Sequence, residues 1–156
     1  MIDVNLINPF LEATLSVIKS AAQKELKIGK PEVKETVFTD KSVLIMLGVT
    51  GKLEGQVIFD ISEDNAKNIA STMMFGMPVD ELSDMAMSAI SELGNMIMGN
   101  AATLFSKNKV IIDITPPTVA RGNLTLSRQY AVNICVPLYE GTNRILNINI
   151  AVRKEQ

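Results

Sequence analysis

Histidine and tryptophan are absent from this sequence of 156 residues, and cysteine occurs once. Without histidine the chain cannot build a Ser-His-Asp or Cys-His nucleophile pair, an imidazole metal site or a histidine phosphotransfer centre. The single cysteine, Cys135, excludes an intrachain disulfide and a thiolate cage for zinc or an iron–sulfur cluster. Because Cys135 lies in the apolar run 132–136, we expect a packed thiol rather than a reactive one.

An excess of one charge is also missing, since 15 Lys and Arg residues stand against 17 Asp and Glu residues. The basic residues are scattered, without the clusters and interleaved aromatics of a nucleic-acid surface, so we expect no nucleic-acid partner. There is no apolar run of about 20 residues and no signal-peptide pattern, which predicts a cytoplasmic protein without a membrane partner. A hydrophobic content of 47% supports a folded core, and the length is typical of one domain, 1–156.

The first half of the chain alternates a helical pattern with strand-like runs. Apolar residues spaced by three or four predict an amphipathic helix over 9–27. Three β-branched runs separated by turn residues then predict three antiparallel strands. The middle run is apolar on both faces, which indicates a central strand covered on both sides. The runs are 33–38, 43–49 and 56–61.

Two helices and further strands follow. Ser62 is placed to cap a short helix that ends near Gly76, and a longer helical pattern runs over 80–106. In the last β-type run, apolar residues alternate with Asn147, Asn149, Ala151 and Arg153, so we expect one face of that strand to be wet. The β-type runs of this half are 111–114, 118–120, 130–138 and 145–152.

This order of elements predicts one α+β domain in which helices cover a mostly antiparallel sheet, and it leaves an internal duplication open. Methionine is concentrated on the two central helices. Core packing is the simpler explanation for these methionines, and an adaptable binding surface is the alternative. They are Met73, Met74, Met85, Met87, Met96 and Met98.

A row of polar residues follows the long helix. At about 100° per residue, Asp84, Ser88, Glu92 and Asn95 fall within a sector of roughly 80°. An ordinary solvated helix face would produce the same pattern, and that reading stays open for each of these residues.

Two glycines inside the same helix are harder to explain, because each costs up to about 1 kcal/mol relative to alanine. Gly99 keeps the surface beside Asn95 flat, which would permit close approach of a partner. Gly94 lies off the polar row, and we interpret it as a site of tight packing between helix and sheet.

Residues 88–96, Ser-Ala-Ile-Ser-Glu-Leu-Gly-Asn-Met, followed by Gly-Asn-Ala at 99–101, resemble the signature helix of the CheC/CheX/FliY family of bacterial chemotaxis phosphatases. That signature is Asp or Ser, three residues, Glu, two residues, Asn, and a distal proline. The matching positions are Ser88, Glu92, Asn95 and either Pro116 or Pro117; residues 48–55 extend the resemblance.

Within this family the sequence is most similar to the CheX branch. The CheC and FliY branches typically carry two Glu-x-x-Asn helices, whereas residues 12–15 and 63–66 have Leu15 and Ala66 at the position of the asparagine. The resemblance therefore implies one active site per chain. It also implies the CheC-like fold, an α/β sandwich with internal pseudo-symmetry, and a homodimer. The apolar, β-rich C-terminal half, with an edge strand to cover, points to a homodimer as well.

The function implied by the resemblance is hydrolysis of the aspartyl phosphate of a CheY-like receiver. The receiver would supply Mg²⁺ and a lysine, so this chain would bind no metal or cofactor of its own. Asn95 would orient the attacking water, Glu92 would pair with the receiver's lysine, and Ser88, Gly99 and Pro116 would belong to the binding surface. The alternative is a non-catalytic receiver-binding or flagellar-switch module that uses the same helix face.

Overall fold

A computed structural model of the protein describes residues 3–126 and 131–155, which contain three helices and ten strands. The helices are α1 (Val4–Ala22), α2 (Glu63–Met73) and α3 (Asp84–Lys107). The strands are β1 (Lys27–Ile28), β2 (Glu32–Val33), β3 (Thr36–Phe38), β4 (Ser42–Gly51), β5 (Leu53–Ser62), β6 (Ile112–Ile114), β7 (Thr118–Arg121), β8 (Leu124–Leu126), β9 (Ile134–Glu140) and β10 (Asn143–Lys154).

Eight of these strands form one antiparallel sheet in the order β1-β9-β10-β5-β4-β6. Strand β2 joins β9 beside β1, and β7 joins β4 beside β6, while β3 and β8 pair separately. The predicted hairpin between the second and third runs is confirmed as β4–β5. Strands β6 and β7 lie at one edge of the large sheet, so the C-terminal half does contribute an edge.

The run 33–38 does not form the predicted single strand beside β4. It is divided between β2, which pairs with β9, and β3, which pairs with β8. Both partners come from the far end of the chain, so local alternation could not indicate them. The predicted run 130–138 begins at residue 130, which lies outside the described residues.

The helix ends differ from the predicted ones for local reasons. Helix α1 begins at Val4, because the Asp3 side chain accepts a hydrogen bond from the Asn5 N–H at 3.0 Å, and it continues through Pro9. It stops at Ala22, since Gln23 takes the left-handed conformation with φ 55°. Helix α3 begins four residues later than predicted, after its cap Ser83.

The helices cover one face of the large sheet. Their apolar sides share a core with that face, and the rings of Phe10 on α1 and Phe105 on α3 meet edge to face at 5.1 Å. On the other face, Phe38 of β3 packs with Leu44 and Ile58 of the large sheet. Strand β4 is therefore covered on both sides, as predicted, and the α+β architecture is confirmed.

The expected wet face of β10 is wrong for Asn149 and Ala151, whereas Asn147 and Arg153 are half-buried. Asn149 is 4% exposed and Ala151 is 8% exposed. The Asn133 Nδ2 donates to Asn149 Oδ1 at 3.0 Å, and Asn149 Nδ2 donates to the Ile58 carbonyl at 3.4 Å. Asn149 is thus held in an internal chain of hydrogen bonds with Asn133 and the Ile58 carbonyl. Cys135 is buried, as expected for a packed thiol, and its burial raises the pKa of the thiol.

Within residues 3–126 and 131–155, no helix is both long and apolar enough to span a membrane.

Candidate active site on helix α3

The orientation of α3 is fixed by close contact with β4. A Cβ atom on Gly94 would lie 2.5 Å from the Ile45 Cγ2 and 3.4 Å from the Leu47 Cδ1. Because the first distance is far inside van der Waals contact, only glycine lets the helix backbone approach the strand this closely. This confirms the packing interpretation of Gly94, and it determines which side of α3 faces away from the sheet.

The opposite side of α3 presents the predicted residues together. Ser88, Glu92, Asn95 and Gly99 are all exposed. Their spacing of four, three and four residues places them on one side of the helix, and Glu92 and Asn95 are separated by about 4.5 Å along its axis. One partner surface could therefore contact all four positions at once.

The three side chains in this row have no partner inside the described part of the chain. No side-chain hydrogen bond or ion pair to another described residue is made by Ser88, Glu92 or Asn95. By contrast, Thr103 further along α3 donates to the Gly99 carbonyl at 3.2 Å. The carboxylate and the amide are thus available to an external group without first breaking an internal bond.

Gly99 differs from Gly94 in its surroundings. A Cβ atom added at Gly99 would meet no heavy atom within 4 Å. Nothing in the packing requires glycine there, although glycine in a helix interior costs about 1 kcal/mol relative to alanine. The flat surface at Gly99 has no internal explanation.

Pro116 lies on a different element, in the connection between β6 and β7. The preceding Thr115 is tied to β4: its N–H donates to the Gly48 carbonyl at 3.0 Å, and its Oγ1 accepts from the Gly48 N–H at 2.7 Å. Pro116 itself makes no hydrogen bond to α3 among the described residues. Gly48 follows Leu47, which faces Gly94, so one strand supports both α3 and the proline connection.

The structure adds one feature that the predicted site does not include. Phe75 in the connection between α2 and α3 is 101% exposed, and Met77 and Met85 nearby are 53% and 62% exposed. Of the six methionines noted above, Met98 is buried, whereas Met85 and Met96 are exposed. The concentration of methionines on the two central helices was the sequence signal for an exposed apolar surface. It could not distinguish buried methionines from exposed ones.

Metal ligands were not predicted for this chain. Across the two described ranges, no group of three or more His, Cys, Asp or Glu side chains is arranged to hold a metal ion.

Comparison with known proteins places this geometry in a family. The family model described as chemotaxis phosphatase CheX matches residues 43–138, which include α3 and Pro116. The CheY-P phosphatase CheX of Thermotoga maritima is 30% identical over 151 residues, which cover 97% of each protein. The chain belongs to the CheX family.

Solved structures of this family share the fold over almost the whole chain. A CheC-like superfamily protein from Shewanella sp. PV-4 superposes with a TM-score of 0.86 and 28% identity, covering 97% of this chain and 99% of that one. A chain of the CheX–CheY–BeF3–Mg²⁺ complex from Borrelia burgdorferi gives a TM-score of 0.81 and 32% identity, covering 99% and 100%. The CheC-like fold implied by the resemblance is therefore confirmed.

Proposed function

We propose that this chain is a chemotaxis phosphatase that hydrolyses the aspartyl phosphate of a CheY-like response regulator. The observation that carries the proposal is the joint exposure of Glu92 and Asn95 on one side of α3, without internal partners. Two relatives support the choice of substrate: one is named a CheY-P phosphatase, and another belongs to a complex with CheY.

In the proposed reaction, Asn95 positions the attacking water. Its amide hydrogen-bonds to the water and holds it in line with the bond between phosphorus and the aspartyl oxygen. As the water oxygen bonds to phosphorus, the bond between phosphorus and the aspartyl oxygen breaks, and the aspartyl carboxylate leaves with its electron pair. The protons of the water stay with the phosphate that forms. The products are inorganic phosphate and the free aspartate. A neutral amide suits this task, because a carboxylate would repel the phosphoryl oxygens.

The other residues of the row hold the receiver in register. Glu92 forms an ion pair with the lysine beside the receiver's phosphorylated aspartate, one helical turn from the water. Ser88 extends this contact toward the start of α3. Gly99 lets the receiver's backbone come close beyond Asn95. Pro116, in the β6–β7 connection, adds a contact with the receiver from a second element.

The receiver, not this chain, brings the divalent cation in this proposal. The complex of the Borrelia burgdorferi relative with CheY contains Mg²⁺ and BeF3. The cation neutralises the phosphoryl oxygens, so this chain needs only to orient the water and the receiver.

The proposal is tested by phosphate release from an acyl-phosphorylated CheY-like receiver with Mg²⁺. We expect a catalytic amount of this protein to accelerate release, with each molecule acting on many receivers. Release that stays at the spontaneous rate would contradict the proposal. Protection of the phosphate in proportion to the amount of added protein would instead identify a non-catalytic receiver-binding or switch module.

We further propose that residues 1–156 act as one domain in the cytoplasm and associate as a homodimer. The shared core supports the single domain, because it joins all three helices to the large sheet. Ile28 on β1 and Val33 on β2 are exposed apolar residues at one edge of the large sheet, and they support a partner at that edge. Val37 on the separate strand β3 is exposed as well. Light scattering should give twice the 17.0 kDa mass of the chain. A monomer mass across a dilution series would contradict the homodimer.

A further inference from the structure

The residue at position 75 is not explained by the fold of this chain. Phe75 has φ +61°, and the following Gly76 has φ +84°. Glycine or asparagine takes the left-handed conformation at little cost, whereas a bulky side chain there is an outlier. The phenylalanine is also fully exposed, so it gains no burial in return. Neither backbone conformation nor core packing accounts for it.

The turn that presents Phe75 is held by hydrogen bonds from α2. The Gly76 N–H donates to the Ser71 carbonyl at 2.8 Å, and the Ser71 hydroxyl donates to the Met77 carbonyl at 2.8 Å. The Phe75 N–H donates to the Thr72 carbonyl at 3.2 Å. The aromatic ring is therefore presented on a turn of fixed geometry, which lowers the entropy lost when a partner binds.

Phe75 and Met77 in the α2–α3 connection and Met85 at the start of α3 are exposed apolar residues, and we name them together the Phe75 surface. Met77 and Met85 line an open cleft that is bordered by three carboxylate side chains. Because these carboxylates are exposed, a matching partner surface would be apolar and surrounded by basic residues. The carboxylates are Asp80, Glu81 and Asp84.

The Phe75 surface continues into the candidate active site. Met85 lies in the first turn of α3, seven residues before Glu92, which places the two side chains nearly in line and about 10 Å apart along the helix. Met96, exposed at 38%, follows Glu92 on the same side. A stable interface covers about 800 Å² on each partner, so a protein bound at Met85 would also reach Glu92.

From this continuity we infer that the Phe75 surface is a docking site for the receiver itself. The Phe75 surface contacts an area of the receiver that is apolar and bordered by basic residues. That area lies about two turns of α3 away from the receiver's phosphorylated aspartate. A second copy of this chain bound there would cover Glu92 and Asn95 and block the site, which favours the receiver as the occupant. This inference rests on the proposed function and adds a binding determinant remote from the reacting atoms.

The test replaces Phe75 with asparagine, which accepts the left-handed conformation and therefore preserves the turn. We expect Phe75→Asn to raise KM for the phosphorylated receiver about tenfold, with kcat unchanged. The Kd for a receiver carrying beryllofluoride as a phosphoryl mimic should rise equally. Met85→Gln should shift both constants in the same direction. Ile111→Thr is the matched control, because Ile111 is 59% exposed beyond the opposite end of α3.

Unchanged KM and Kd in Phe75→Asn would overturn the inference, as would an equal rise in Ile111→Thr. Loss of self-association with unchanged KM would also overturn it and assign the surface to a second copy. The proposed function fails separately, if the parent protein does not accelerate phosphate release. In that case the Kd measurement still decides whether the Phe75 surface binds the receiver.

Discussion

Helix α3 and strand β10 each carry a row of polar residues, and the two rows have opposite environments. Glu92 and Asn95 on α3 are exposed and have no partner among the described residues. Asn149 on β10 is buried and hydrogen-bonds to Asn133 and to the Ile58 carbonyl. Asparagine thus occurs in both rows, once available to an external group and once satisfied within the fold.

The difference lies in what each amide stabilises. A buried amide must exchange its bonds with water for internal bonds, and leaving one of these unmade costs about 1–3 kcal/mol of folding free energy. An exposed amide keeps its bonds with water in the free protein, so its removal changes folding little. Activity should therefore depend on Asn95, and the free energy of unfolding should depend on Asn149.

The largest expected effect is on turnover in Asn95→Ala. Alanine is the better helix former, so the helix should remain intact while the group that orients water is lost. By analogy with single pre-organised hydrogen-bond donors in other active sites, accelerated phosphate release should fall about 10² to 10³-fold. The measurement is kcat for phosphate release from the phosphorylated receiver.

Binding provides the control for this variant. Asn95→Ala should keep the parent Kd for a receiver carrying a phosphoryl mimic. Asn95→Asp should also lose turnover, because the added charge repels the phosphoryl group. A parent rate in Asn95→Ala would show that the water-positioning assignment is wrong, and it would remove support from Ser88 and Glu92 as well.

Glu92→Ala should act on docking more than on chemistry or folding. If the ion pair with the receiver's lysine is desolvated in the complex, its loss costs about 2 kcal/mol or more, a roughly thirtyfold rise in KM. A pair that stays at the wet rim contributes under about 1 kcal/mol. Unchanged phosphatase efficiency together with an unchanged melting temperature would make Glu92 an ordinary solvated carboxylate.

Asn149→Ala should produce the reverse pattern, with loss of stability and retention of activity. The change leaves the Ile58 carbonyl without its side-chain donor and costs about 1–2 kcal/mol of unfolding free energy. Asn147→Ala is the matched control, two residues away on the same strand. Asn147 Oδ1 is buried and has no hydrogen-bond partner within the described residues, so its removal should cost less. Equal destabilisation in urea titrations would contradict this account.

The helices and the central hairpin could be predicted because their signals are local. Ser62 caps α2 as predicted, and β4 joins β5 through the expected turn. The pairing of β3 with β8 and the burial of Asn149 could not be predicted, since both depend on residues about 90 positions apart. Alternation within one strand shows that it has two faces, but not what covers the second face.

The candidate site shows the same contrast between features with a local sequence signal and features without one. Ser88, Glu92, Asn95 and Gly99 share one helix, so periodicity alone places them on one side. Phe75 belongs to a turn whose conformation depends on hydrogen bonds from α2, and no periodic pattern marks it. The exposure and the positive φ of Phe75 could therefore be recognised only from the structure.

The smallest expected effect contrasts the two glycines of α3. Gly99→Ala should raise the free energy of unfolding by about 0.5–1 kcal/mol, because the helix gains a better former and the added methyl group meets no atom within 4 Å. Gly94→Ala should lower it, since the methyl group would overlap Ile45. If the flat surface at Gly99 serves the receiver, the more stable Gly99→Ala protein should nevertheless show a KM a few-fold higher. Higher stability with an unchanged KM would remove Gly99 from the binding surface and leave the glycine unexplained.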